Sequence, residues 1–206
     1  GSIGPVTLTG VNVFNNNRDT GLKIYSRGVI SITGVTANNN GLSSANGYGV
    51  DLNNTSNVTT VVKSISFGGF NTFNGNYSGG LLVNTKGAVT SLATGSLTAN
   101  SNTNGKGIWI LNNSVDPAKP QFVSLSGKII ASSNYQEGLR VESLGSITVS
   151  NITATGNNTS ALVNPGVYLF NLNSVPAIPA GVTVSGINLV TGNLSTGIII
   201  NAYGLI

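Results

Sequence analysis

A glycine followed by alternating apolar residues recurs seven times along this chain, and the recurrence limits the fold more than any other feature. The units are Gly21-Leu-Lys-Ile, Gly49-Val-Asp-Leu, Gly80-Leu-Leu-Val, Gly107-Ile-Trp-Ile, Gly138-Leu-Arg-Val, Gly166-Val-Tyr-Leu and Gly197-Ile-Ile-Ile. Their spacings are 28, 31, 27, 31, 28 and 31 residues, so short and long units alternate. The pairs Leu22/Ile24, Val50/Leu52, Leu81/Val83, Ile108/Ile110, Leu139/Val141, Val167/Leu169 and Ile198/Ile200 are all aliphatic. Apolar residues at period two mark a strand with one buried face.

A second strand follows in each unit, as in Val6-Thr-Leu8, Ile30-Ser-Ile32, Ile65-Ser-Phe67, Ile147-Thr-Val149 and Val182-Thr-Val184. It is expected to end at a corner held by Gly10, Gly34, Gly69, Ser96, Gly127, Asn151 or Gly186, because Gly and Asn tolerate a left-handed backbone. A third strand then runs to Asn17, Asn40, Asn76, Asn102, Asn134, Asn157 or Asn193. The Asn lies six residues beyond Phe70 and Ile187 in long units, but five beyond Val35 and Ile152 in short ones. Glycine, asparagine and β-branched residues oppose helix throughout. Strands one unit apart must pair in parallel, with right-handed connections. The sequence therefore predicts an all-β, right-handed parallel β-helix of about seven coils, about 34 Å long at about 4.8 Å per coil. Stacking then places the seven asparagines in a structural ladder, each amide bonding the next.

With these units in view, the chain resembles the right-handed parallel β-helix repeat proteins of the pectate-lyase-like superfamily. The stretch Gly21-Leu-Lys-Ile-Tyr-Ser-Arg-Gly-Val-Ile-Ser-Ile-Thr-Gly-Val-Thr-Ala-Asn-Asn-Asn40 is similar to a coil of large bacterial cell-surface proteins in that group. The resemblance implies a fold; that fold carries lyases, hydrolases, adhesins and inert stalks alike.

Composition narrows the chemistry. Charged residues are 7% of the chain, net charge is +4, and the basic residues are scattered, so no nucleic-acid partner is expected. No apolar run approaches the roughly 20 residues of a membrane span. Cysteine and histidine are absent, which removes the usual thiol, imidazole and zinc chemistry. No metal and no cofactor are expected, and no calcium repeat is found. Low charge with Asn/Thr richness favours an extracellular or bacterial cell-surface protein. Gly1-Ser2 is expected to be a remnant of cloning. Residues 3–206 are expected to form one domain, a segment of a longer solenoid with neighbouring domains; end-to-end stacking of copies is the other expectation for its uncapped ends.

No catalytic residues are assigned. Asp51 and Glu142 share the first strand but stand three coils apart, about 14 Å, whereas glycoside hydrolysis wants two carboxylates roughly 5–9.5 Å apart. Glu137, Asp19 and Asp116 are expected to lie at coil edges without partners, and Lys23 with Asp51 to form a surface ion pair. Lys128 falls where Val11, Val35, Phe70, Leu97, Ile152 and Ile187 are expected inward, so a bulge turning Lys128 outward and Ile129 or Ile130 inward is predicted. Three long loops (54–63, 112–121 and 171–181) are expected to form a ridge on one edge. Outward Thr7, Ser31, Ser66, Ser124, Thr148 and Thr183, with Asn12, Thr36, Asn71, Thr98, Thr153 and Asn188, would be the flat face of an ice-binding solenoid. The Asn/Thr mixture opposes a lattice match.

One strip reaches towards function. Trp109, Arg140 and Tyr168 should be consecutive outward rungs, with Glu142 and Phe170 alongside. Aromatic faces beside a guanidinium and a carboxylate suit a carbohydrate ligand. The competing reading is a cation–π sandwich that only holds Arg140 between two rings. The sequence thus predicts a non-enzymatic structural or stalk segment. A carbohydrate-binding or adhesive module, a polysaccharide lyase or hydrolase and an ice-binding solenoid are the alternatives.

Overall fold

A computed structural model describes residues 4–42, 47–55, 62–112, 120–159, 163–171 and 180–206. Period-two burial works out as three seven-stranded parallel sheets, each strand pairing with its equivalent one coil away. The first sheet contains Leu22–Tyr25, Tyr48–Asn53, Gly79–Thr85, Ile108–Asn112, Leu139–Ser143, Val167–Asn171 and Ile198–Asn201. The second sheet starts at Val6–Leu8 and ends at Val182–Ser185; the third runs from Asn12–Val13 to Leu189–Thr191. The chain is an all-β parallel solenoid of seven coils. Its core is one mainly aliphatic cluster, with Phe67 and Phe73 inside it, to which Ile30, Ile65, Val89, Val123 and Ile147 from the second sheet and Val50, Leu81, Ile108, Leu139 and Val167 from the first all contribute. Burying each such side chain favours the fold by about 1.5–3 kcal/mol.

The turn into the first sheet is built from three residues. Its middle position has positive φ in every coil: Asn16, Asn39, Gly75, Ser101, Ser133, Gly156 and Gly192. The residue after it is the stacked asparagine. Asn17 donates through both its backbone N and Nδ2 to Asn40 Oδ1 at 2.9 Å. The same double donation links Asn40 to Asn76, Asn76 to Asn102, Asn102 to Asn134, Asn134 to Asn157 and Asn157 to Asn193. A second ladder on the other side of the turn runs the opposite way. The backbone N–H groups of Asn38, Asn74, Asn100 and Ser132 donate to the side-chain oxygens of Asn15, Asn38, Asn74 and Asn100. Two opposed ladders leave no coil free to slip relative to its neighbour without breaking buried hydrogen bonds.

The corner between the second and third sheets departs from expectation in three ways. In the fourth coil the corner residue is Gly95, which lies against Gly69 and Gly127, and Ser96 is already in the third strand opposite Phe70 and Lys128. Val11, Phe70 and Ile187 point outward, 89%, 72% and 86% exposed. Asn71, expected outward, is fully buried. Its Oδ1 accepts from Val35 N and its Nδ2 donates to Gly68 O, and Asn188 serves Ile152 N and Ser185 O in the same way. The physical reason is one extra residue. In the third and seventh coils it swings out, and the following Asn71 or Asn188 reaches back to satisfy an amide of the shorter neighbouring coil. In the fourth and fifth coils the following Leu97 and Ile129 enter the core instead. Lys128 is exposed and Ile129 buried, as expected. The cause is this ordinary long corner, shared with Phe70, and not a local bulge. Only the second and sixth coils have the short corner, so this feature does not alternate strictly. Before its corner the fourth coil carries extra residues, which form a turn at Leu92–Gly95 closed by Gly95 N donating to Leu92 O.

Strict alternation does appear where the first sheet ends. There Ser26, Asn54, Thr85, Asn112, Ser143 and Asn171 stack, with hydroxyl and amide taking turns. In the short connections the hydroxyl closes a tight turn, as Gly28 N, Gly87 N and Gly145 N donate to Ser26, Thr85 and Ser143. In the long ones the amide ties the foot of the loop, with Asn54 Nδ2 donating to Lys63 O and Asn112 Nδ2 to Gln121 O. All three long connections leave the same edge of the first sheet on alternate strands. The bodies of the expected ridge, at 56–61, 113–119 and 172–179, lie outside the described residues.

Candidate functional site

The outward face of the first sheet carries the charged and aromatic side chains. Register pairs Lys23, Asp51, Leu82, Trp109, Arg140, Tyr168 and Ile199 in one column. Tyr25, Asn53, Asn84, Leu111, Glu142, Phe170 and Asn201 form the next. Trp109, Arg140 and Tyr168 are thus consecutive rungs, with Glu142 and Phe170 beside them. Tyr168 and Phe170 lie 5.8 Å apart between ring centroids.

Their partners differ from a simple sandwich. Arg140 sits over Tyr168, 4.8 Å from the ring centroid, while the cation over Trp109 is the Lys106 ammonium at 4.4 Å. Arg140 Nε donates to Glu142 Oε1 at 2.6 Å and Nη1 to Glu137 Oε1 at 2.9 Å. Lys106 Nζ donates to Gln136 Oε1 at 2.8 Å and stands 3.6 Å from Glu137 Oε2. Trp109 Nε1 donates to Glu142 Oε1 at 3.3 Å. Glu137, expected to be unpaired at a coil edge, is instead the buried centre of this group, its side chain 2% exposed. It lies two positions before the strand Leu139–Ser143, where a carboxylate can reach cations on its own coil and on the one before. Two carboxylates therefore share one guanidinium, which the spacing of Asp51 and Glu142 did not reveal.

Electrostatics follow from burial and pairing. Burial disfavours the Arg140 cation, but its bonds to Glu142 and Glu137 overcome this and hold its pKa above the ordinary value. Burial pushes the Lys106 ammonium down, and Glu137 restores it only in part.

Beside this cluster Tyr48, Ser78, Asn104, Lys106, Trp109 and Gln136 line a cleft of about 320 Å³. In the preceding coils Asp51 does not pair with Lys23. It accepts a hydrogen bond from the Tyr25 phenol at 3.0 Å and is 8% exposed. Burial raises the Asp51 carboxyl above the usual carboxylate range, against the lowering effects of Tyr25 and Lys23. Burial likewise raises the Tyr48 phenol, with Asp51 adding to it.

The sequence held signals for some of what was missed. The second ladder is visible as an Asn two residues before the ladder Asn, at 15, 38, 74 and 100. Glu137 had no such signal, because its partners come from two coils. Among the described residues there is no cluster of three or more carboxylates suited to a metal ion. Several Asn-x-Ser/Thr sequences occur; among them Asn112, Asn151 and Asn193 already use their side chains in hydrogen bonds to backbone groups, and Asn57 lies outside the described residues. No protein-family model, no curated protein and no solved structure matches the chain.

Proposed function

We propose that the chain is a non-enzymatic structural segment of an extracellular or bacterial cell-surface protein, a right-handed parallel β-helix of the pectate-lyase-like kind that holds neighbouring modules apart. One observation carries this reading. The polar groups of the central first sheet are bound to one another, Arg140 to Glu137 and Glu142 on its own coil, and Glu137 to Lys106 and Glu142 to Trp109 across to the coil before. Side chains arranged this way tie successive coils together. Within this group both carboxylates, Glu137 and Glu142, are held by cations or by the Trp109 indole. Low charge and the Asn/Thr-rich surface support the extracellular setting.

The test pairs stability with activity. Arg140→Ala leaves Glu137 short of its main counter-charge, and breaking a buried ion pair costs about 3–5 kcal/mol. A fall of that order in chemical denaturation, with no products released from a panel of polysaccharides by the parent chain, is the expected outcome. Product release that disappears in Glu137→Gln would replace this reading with an enzymatic one.

A second reading, a carbohydrate-binding module, is favoured by the cleft beside Trp109, where an indole and several neutral polar groups converge.

A further inference from the structure

We infer that the cleft between Tyr48 and Trp109 is a binding site for neutral sugar residues, and that the strip formed by Arg140, Glu142, Tyr168 and Phe170 is its support and not the ligand surface. The inference rests on the carbohydrate-binding reading and assigns it a place and a ligand class.

Two of the lining residues, Tyr48 and Lys106, come from one column along the edge of the first sheet. Along the edge of the first sheet Tyr48 pairs with Gly79. Gly80 N donates to Lys106 O and Gly107 N to Glu137 O, which continues the column through Lys106 and Glu137. Tyrosine, lysine and glutamate thus stand on successive rungs with one glycine among them. A Cβ at Gly79 would lie 2.8 Å from Lys106 O and 3.0 Å from Tyr48 Cε1. Gly105, in the cleft wall, could not carry one either, since it would fall 1.7 Å from Ser78 O. Both glycines allow close packing, of the Tyr48 ring over Gly79 and of Gly105 against the Ser78 backbone, and this packing fixes Tyr48 and Gly105 in the cleft wall. At about 320 Å³ the cleft is at the small end of the roughly 300–1,000 Å³ of small-molecule sites, enough for one or two sugar rings.

The lining sets the ligand class. Tyr48, together with the part of Trp109 not under the Lys106 ammonium, supplies aromatic surface for the C–H face of a sugar. The amides of Asn104 and Gln136 and the Tyr48 phenol can meet hydroxyl groups as donors or acceptors. The only charged group in the wall is Lys106, and it is neutralised by Glu137 and bonded to Gln136. A uronate or other acidic sugar would bring its carboxylate towards a cation already paired with a buried carboxylate. A neutral ring asks nothing of that pair. Arg140 and Glu142, which would be needed for the alternative strip, hold each other at 2.6 Å.

The chain has one tryptophan, and it lies in the cleft, so its emission reports occupancy directly. The experiment titrates the intact chain with neutral hexose oligosaccharides and with oligogalacturonate, comparing the parent with Tyr48→Ala, Gln136→Ala and Tyr168→Ala. The expected result is a saturable emission shift with at least one neutral oligosaccharide. Affinity should fall tenfold or more in Tyr48→Ala and Gln136→Ala and change less than twofold in Tyr168→Ala. Circular dichroism and the melting temperature of each variant separate lost binding from lost folding. Tighter binding of oligogalacturonate, weakened by salt, would overturn the neutral-ligand assignment while leaving the carbohydrate-binding reading standing. Loss of binding in Tyr168→Ala but not Tyr48→Ala would move the site to the strip. No response to any glycan would remove both the assignment and the reading beneath it.

Discussion

Asp51 shows how one residue changes meaning between sequence and fold. Next to Lys23 in register, it invites an ion pair, yet its closest polar partner is the Tyr25 phenol. Burial raises its pKa, so the folded chain holds a proton there that the unfolded chain has released. Stability from this group is complete below the ordinary carboxylate value, about 4. It declines as pH rises from there through the raised folded value. Asp51→Asn keeps an acceptor for Tyr25 and removes the charge. The melting temperature of this variant, measured from pH 3 upwards, should meet the parent's at the acid end and exceed it near neutrality. A parent that gains stability from Asp51 ionisation across that interval would show the reverse and contradict the burial argument. Lys128 teaches a related lesson. Its chemistry demanded an outward direction and obtained it, but Phe70 obtained the same direction with no such demand, because the corner geometry decides for both.

At the scale of elements, the turn between the third and first sheets is the most heavily determined part of the chain. Its centre is left-handed, and its two flanks carry opposed ladders. Asn102 is the middle rung of the longer ladder. It accepts from both the backbone N and Nδ2 of Asn76, and it donates in the same way to Asn134. Asn102→Ala strands the buried backbone N–H of Asn76 and one proton of the Asn76 Nδ2, which keeps its bond to Ala37 O, so a loss of about 1–3 kcal/mol is expected in urea unfolding. Asn17→Ala removes an exposed terminal donor and should cost under about 1 kcal/mol. Equal losses at the two positions would mean that the ladder adds nothing beyond the local turn. The ladder itself was legible because the asparagines recur at the coil spacing. The opposed series at Asn15, Asn38, Asn74 and Asn100 was equally visible but required knowing that the turn is three residues long.

For the whole molecule, each coil contacts mainly its neighbours, so the rod is close to one-dimensional in its energetics. Interior coils such as Gly79–Thr85, Ile108–Asn112 and Leu139–Ser143 are bonded on both sides. Leu22–Tyr25 and Ile198–Asn201 are each paired with one neighbour only, and Ile198 is partly exposed. Native-state hydrogen exchange should therefore slow from either end towards the middle, with the smallest opening free energies in the outer coils. Uniform exchange across all seven would show that the rod opens only as a single cooperative unit.

What the sequence alone determined is the repeat and everything that follows from periodicity: seven coils, parallel pairing, an aliphatic core at alternating positions, and the column containing Trp109, Arg140 and Tyr168. These are one-dimensional properties, since a residue's rung and face follow from its distance to the preceding glycine. What only the tertiary structure decided is which neighbours on the surface meet. Glu137 gathers Lys106 and Arg140, the Lys106 ammonium sits over the Trp109 ring, and Tyr48, Lys106 and Trp109 come together around a cleft. Such meetings depend on the reach of long side chains across coils and on the corner each residue occupies. A shift of one residue at a corner reversed Phe70 and Asn71 without changing the repeat at all. Periodicity sets the backbone lattice, while the contacts between long side chains are settled by three-dimensional distance, which no spacing along the chain encodes.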